Sequence, residues 1–581
     1  MEIALIAVIG VVTVVAVAAF SKQLGVAAPL VLVVVGIATS FLPGLPSSIL
    51  VPSWVILSLV LPPLLYSSAV QVQLTDFRRN LGTISMLSVF LVIASAFIVG
   101  FLLHALLPAL DLGSAIALGA VVSPTDAVAA TSVAKRLGLP TRLVAVLEGE
   151  SLVNDASALV LLKAAIGAAG AGLSIWAIGG DFLYSVVVAV GIGLIVGVVN
   201  VWVRAKLKDS VLETAISFIV PFVAYIPTES LGASGVLAVV IAGIYTGHRA
   251  ARSFTAQARL SEQINWRTIQ FLLENGVFLL MGIQLNSIMN KAQGGVLGVW
   301  GAFGIGLLLC VVLLVIRALF VFPIVWQLKA NQRRAPEVGE RLSDGLERVR
   351  TEREKQPPQD ERTERRWNRF TRYLERREAD VTDLQDSPIG WRGGVVLTWA
   401  GMRGVVTLAA AQTLPDNTPY RAPLVLIAFT VAIVTLLVQG GTLPLLIRRL
   451  GITGSDAAAD RRELAGLLEE MSKAGLAAID HPDDEVTDGR SYDPDVVERV
   501  RQDTMLRVEA QWERAEREES ETPVFGPHQQ YQALKEQVLE AERTALLDAR
   551  SRGSYSSRVL LHAQVMLDFE ESRISHRDNE V

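Results

Sequence analysis

Between residues 150 and 156 the chain reads Glu150-Ser-Leu-Val-Asn-Asp-Ala156, inside a run from about Leu143 to Ala169 that is otherwise mostly Leu, Val, Ala and Gly. A charged side chain at the centre of a bilayer costs roughly 2.5–3.5 kcal/mol on insertion scales. Such groups persist where they face a partner or a water-filled path. Glu150, Ser151, Asn154 and Asp155 therefore mark a candidate ion or proton site. On a helix Ser151 and Asp155 are i,i+4 neighbours, as are Glu150 and Asn154. The first pair can face a cation together while Glu150 points into protein. Entering near Leu143, Asp155 lies ~12 residues, or ~18 Å, into its segment. Glu148, nearer the rim, is placed to line a funnel.

Two further apolar segments carry polar interruptions. In Ser123-Pro-Thr-Asp126, Pro124 removes a backbone donor and disturbs the preceding turn. An unwound turn there exposes carbonyls, Thr125 adds a hydroxyl, and Asp126 lies ~21 Å from the start of the segment. That oxygen-rich environment suits a hard monovalent cation. In Gly401-Met-Arg-Gly404, Arg403 lies ~16 Å inside its segment. An arginine at that depth needs a carboxylate. Glu150 is the natural partner, because a permanent ion pair would disable Asp155 as a carrier. Glu274 and Arg317, at matching depths on successive segments, form a possible second pair of structural character.

These residues must be positioned by membrane-spanning helices. Of 581 residues 51% are apolar and 19% charged, with a mean hydropathy of +0.44. Residues 1–328 and 392–449 are strongly apolar, whereas 329–391 and 450–581 are highly charged. The first pair reads as a transmembrane transporter domain in two parts. The second reads as a charged cytoplasmic loop and a helical cytoplasmic tail. About thirteen apolar segments approach the ~20 residues needed to cross a bilayer. They lie near 3–21, 25–42, 52–72, 83–107, 113–134, 143–169, 181–203, 211–228, 233–247, 267–289, 296–327, 393–414 and 422–447. The first reads as a retained span and not a cleaved signal peptide.

Basic residues fall in alternate loops, among them Arg78, Arg79, Lys135, Arg136, Arg142, Arg204, Arg249, Arg252 and Arg448. The intervening loops carry Asp111, Asp181 and Glu229, with Lys291 and Arg421 as exceptions. Basic loops favour the cytoplasm, so the N-terminus is expected outside and the C-terminus inside, which requires an odd number of spans. Odd topology permits an inverted repeat of spans one to six and eight to thirteen, pairing span five with span twelve. Those two carry the polar interruptions, as a site at a repeat interface would.

The single cysteine, Cys310, excludes a disulfide within the chain, and no zinc or haem spacing occurs, so no cofactor is implied. A net charge of −5 gives no reason to expect nucleic acid. From about Asp360 to Ala379, Trp367, Phe370 and Tyr373 punctuate a dense run of Arg and Glu. This is either an amphipathic helix on the inner membrane face or a solvated linker. The tail reads as helices near 457–478, 494–520 and 528–573, with Asp493 capping the second and Pro494 in its first turn. They are regulatory or dimer-contacting in character. The acidic patch Asp480–Glu485 lacks the spacing of a calcium-binding loop.

Taken together, Glu150-Ser-Leu-Val-Asn-Asp-Ala156, Ser123-Pro-Thr-Asp126, Gly401-Met-Arg-Gly-Val-Val406 and Phe278-Leu-Leu-Met-Gly-Ile283 resemble the motifs of the cation/proton antiporter-1 family, the NhaP and NHE type sodium/proton exchangers. The resemblance covers roughly residues 1–450 and not the tail. It implies an all-α polytopic fold with six-helix inverted repeats, two broken crossing helices, alternating access and a homodimer. It also implies exchange of a proton for a cation at Asp155, with Ser151, Thr125 and Asp126 in the cation site and Glu150–Arg403 as the ion pair beside it. Asn154 stands where electrogenic relatives carry a second Asp, which implies electroneutral exchange. One departure is Ser67, after Pro62-Pro-Leu-Leu-Tyr66, where several members carry an acid. An accessory ligand would then be a hydroxyl or a water.

The reading is thus a multi-pass protein of the cell membrane. It is a transporter and not an enzyme, exchanging Na+ for H+ by competition at Asp155. K+/H+ exchange, alone or mixed with Na+, is the alternative, and Li+ is a further candidate ion. A gated cation channel is a third reading. An intramembrane protease using Asp126 and Asp155 leaves the Arg403 motif without a role.

Overall fold

The structure is a computed structural model. It describes residues 2–24, 27–42, 51–168, 175–207, 209–293, 297–355, 360–386, 389–452, 457–480, 493–517 and 527–552, with isolated positions between 563 and 570. Every regular element among the described residues is helical. In lipid each backbone N–H and C=O needs an internal partner, which a helix supplies within one segment. Among the described residues, six helices are long and apolar enough to cross a membrane: Leu81–Leu106, Gly179–Leu207, Ser210–Ser230, Ala256–Gln293, Gly298–Lys355 and Arg421–Leu450. Shorter apolar helices include Val8–Ser21, Ala28–Ser40, Val55–Gln71 and Leu112–Val122.

Local sequence explains several of the helix starts. Asp111, Asp209, Ser234 and Thr255 each accept a hydrogen bond on the side chain from a backbone N–H of the turn they open. Small residues set how closely helices approach. Gly36 and Gly282 face each other where Ala28–Ser40 packs on Ala256–Ile283, and Gly119 lies against the backbone of Ala96. A side chain at any of these three would collide with backbone.

The chain divides into two compact units, Met1–Gly454 and Ser455–Val581. In the first, two apolar clusters meet along the helix Thr141–Ala168. Leu143, Leu147 and Leu161 belong to one cluster, Leu152 and Ala156 to the other. In the second, helices Ala457–Asp480, Pro494–Arg517 and Pro527–Arg552 are described, and Asp493 accepts from Asp495 N at 3.0 Å as the expected cap. The acidic stretch after Asp480 lies outside the described residues, as does most of 553–573.

The charged segment differs from its sequence reading. The helix Gly298–Lys355 runs through residue 328 without a break, 58 residues in all. The helix Glu361–Asp386 packs back along that extension. Arg353–Glu364 at 4.0 Å and the contact of Gly339 with Val381 and Gln385 mark the pairing. Trp367 and Leu374 are half-buried, whereas Phe370 and Tyr373 are exposed, so part of the amphipathic pattern serves a helix hairpin.

Candidate functional site

Two helices break at the polar interruptions. Leu112–Val122 stops at Ser123 and Ala127–Arg136 resumes four residues later; Trp391–Trp399 stops before Gly401 and Val405–Ala411 resumes after Gly404. The breaks cross. Asp126 N donates to Met402 O at 2.7 Å, and Arg403 N donates to Thr435 Oγ1 at 3.0 Å. Pro124 has no N–H to give, and Gly404 lets the strands touch: a Cβ there would fall on the Asp126 side chain.

The buried ion pair is not the one expected. Arg317, on Gly298–Lys355, grips Glu150 with both terminal nitrogens, at 2.5 and 2.9 Å, and its Nε donates to Leu397 O at 2.8 Å. Glu150 and Arg317 are 2% and 1% exposed, so the pair is fully desolvated. Arg403 instead donates to two carbonyls at the breaks, from Nε to Val122 O at 3.1 Å and from Nη1 to Gly401 O. Unwinding frees carbonyls that no helix satisfies. Arg403 sits among them, whereas the long helix carrying Arg317 packs on Trp391–Trp399 and brings its planar fork to the carboxylate. Glu274 therefore has no pairing with Arg317. Its Oε1 accepts from Gln270 Nε2 at 2.7 Å.

Glu150 also accepts from Thr125 Oγ1 at 2.7 Å, and its backbone oxygen accepts from Ser88 Oγ at 3.0 Å. Asn154 Nδ2 donates to Thr125 O at 2.9 Å and to Thr125 Oγ1 at 3.0 Å. Arg317, Glu150, Thr125 and Asn154 thus form one continuous buried network that holds the first break open. Asn154, expected among the ion-binding groups, points at the Thr125 backbone and is absent from the cavity wall.

That cavity, about 450 Å³, is walled by Thr125, Asp126, Ser151, Asp155, Gln270 and Glu274 among others. Ser151 and Asp155 share a face of Thr141–Ala168, as their spacing requires. Four carboxylates line it, Asp126, Glu148, Asp155 and Glu274, against one basic side chain, Lys135. Lys135 is paired with Glu148 at 2.7 Å, and acidic side chains outnumber basic ones along the wall. A second cavity, of about 390 Å³, shares Gln71, Val72, Lys135 and Glu148 with the first and extends past Asp76 and Phe77. Glu148 lies where the two cavities adjoin.

Ser67 lies behind the wall. Its hydroxyl donates to Gln270 Oε1 at 2.9 Å, and the other end of that amide holds Glu274. The sequence reading thus missed Glu274 as a cavity residue and overvalued Ser67. The missed signal was Gln270-x-x-x-Glu274, an i,i+4 amide–acid pair on an otherwise apolar face.

Two broken helices crossing at buried carboxylates, inside an all-helical apolar bundle, define a secondary transporter of cations. Comparison with known proteins makes this specific. Residues 9–449 match the family model described as sodium/hydrogen exchanger, transmembrane. Over 529 residues the chain is 28% identical to an uncharacterised Na+/H+ exchanger of Mycobacterium tuberculosis, covering 90% of this chain and 87% of that one. A sodium, potassium, lithium and rubidium/H+ antiporter of Bacillus subtilis is 31% identical over 274 residues, 45% of this chain and 40% of that one. The solved structure of the sodium proton antiporter MjNhaP1 from Methanocaldococcus jannaschii superposes with a TM-score of 0.56 at 16% identity, covering 78% of this chain and all of that one. The chain belongs to the transmembrane sodium/hydrogen exchanger family and has the antiporter fold. It is a cation/proton antiporter and not an enzyme.

Proposed function

We propose that this protein exchanges Na+ for H+, one for one, with Asp155 carrying either ion. The observation that carries the reading is the carboxylate-lined cavity in which Asp155 and Ser151 share one helical face, with Thr125 and Asp126 also on its wall. The Thr125 carbonyl accepts one hydrogen bond from Asn154 and keeps a second lone pair for a cation. Proton and Na+ neutralise the same carboxylate, so one excludes the other. Asp126 and Glu274, on the same wall, favour the approach of cations. Glu150 is spent on Arg317, which favours a single carrier and electroneutral turnover.

The Asp155 helix lies at the seam of two apolar clusters, a suitable place for alternating access. Thirteen spans, inverted repeats, a homodimer in the cell membrane, an outside N-terminus and a cytoplasmic tail complete the proposal. The test is proton flux in sealed proteoliposomes on adding Na+, K+ or Li+, with a potential-sensitive dye. Na+-evoked flux without a potential change is the expected result. K+ preference moves the assignment to the second reading; the Bacillus subtilis relative is named for sodium and potassium alike. A potential driven by the cation alone means a channel.

A further inference from the structure

Away from the ion cavity, the helix Glu361–Asp386 carries Arg369, Arg372, Arg376 and Arg377 at spacings of three, four and one, which gather them on one side. Together with Arg78 they line a cavity of about 320 Å³, in which Asp380 is the one carboxylate. Asp380 is already engaged by Arg79 Nε at 2.7 Å and by Arg78 at 3.6 Å. The cavity therefore holds an excess of guanidinium charge. Tyr373, half exposed, supplies a hydroxyl and an aromatic wall. Guanidinium groups lining one hollow suit a phosphate group, which an arginine fork can meet with two parallel N–H bonds; Arg372 Nε already donates to Asn368 O at 3.2 Å.

Position narrows the source. Arg78 and Arg79 end the short helix Leu74–Arg79, and the apolar helix Leu81–Leu106 begins two residues later. The hollow thus borders the end of a helix long and apolar enough to cross a membrane, where lipid headgroups are one source of phosphate. The short helix beside it also lines the cavity that adjoins the ion cavity, through Asp76 and Phe77.

We propose that this cavity binds a phosphate-bearing anion, bridging the Glu361–Asp386 helix to the loop at Arg78. The test is calorimetric titration of the full chain in neutral detergent with dihexanoyl phosphatidylglycerol and, separately, with inorganic phosphate. The variant is Arg369→Gln/Arg372→Gln/Arg376→Gln/Arg377→Gln, with Arg369→Gln/Arg376→Gln as a milder second form. Na+-evoked proton flux in phosphatidylcholine vesicles certifies that each is folded. Saturable binding weakened at least tenfold by the glutamines supports the site. Binding of the lipid alone assigns a membrane headgroup, and binding of both ligands a free phosphate source. Absence of binding by either, or binding untouched by the glutamines, overturns it. So does a four-lysine variant that binds as well as the native chain, since diffuse charge would then suffice.

Discussion

Breaking the Glu150–Arg317 contact on one side leaves the other charge buried without compensation. Such losses cost about 3–5 kcal/mol. Arg317→Ala should therefore lower thermal stability in detergent far more than Arg403→Ala, whose partners are carbonyls. Equal Tm losses would refute that ordering. Asp155→Asn removes the titrating carboxylate and keeps the shape. It should leave the protein folded and abolish exchange, and flux at the native level would sink the carrier assignment. Asn154→Ala deletes both bonds to Thr125, a loss of about 1–3 kcal/mol at a buried polar group. Loosening of the break should raise the half-saturating Na+ concentration roughly tenfold, the equivalent of about 1.4 kcal/mol.

At the scale of elements, the crossing depends on two unwound segments lying against each other with almost no side chain between them. Gly404→Ala puts a methyl group on the Asp126 side chain. Exchange should fall at least tenfold with little change in Tm, because the helices on either side keep their packing. Glu274 reaches the cavity from Ala256–Ile283, braced by Gln270. Glu274→Gln should raise the half-saturating Na+ concentration severalfold while maximal exchange survives, in contrast to Asp155→Asn. Abolition of transport would make Glu274 a carrier in its own right.

For the molecule as a whole, competition fixes the sign of the pH response. Acid fills the site with protons and starves it of cation. Raising Na+ should then shift the pH of half-maximal exchange downward, and an unmoved profile would argue for separate proton and cation sites. All the cavity residues lie within Met1–Gly454, itself a compact unit. A chain ending at Gly454 is expected to retain exchange, with any change confined to its regulation. Arg204, counted from sequence among the loop cations, is wholly buried against Glu262 at 2.6 Å and stacks over Phe254, so packing also accounts for its place in the sequence.

Residue type inside apolar runs was enough to find the membrane class, the two breaks and the residues Thr125, Asp126, Ser151 and Asp155 that wall the cavity. Hydrocarbon makes every polar group conspicuous, and the spacing of Ser151 and Asp155 on one helix follows from its period alone. Partnership was not legible in this way. Depth along separate segments allowed Glu150 to meet Arg403 or Arg317 equally well. The choice fell to the packing of Gly298–Lys355 against Trp391–Trp399, which sequence order does not encode. The same holds for Asn154 turning to the Thr125 backbone, for Glu274 entering the cavity and for Ser67 leaving it. Tertiary structure decides these because a side chain three or four ångströms from a site and one just behind its wall share the same residue type and nearly the same depth.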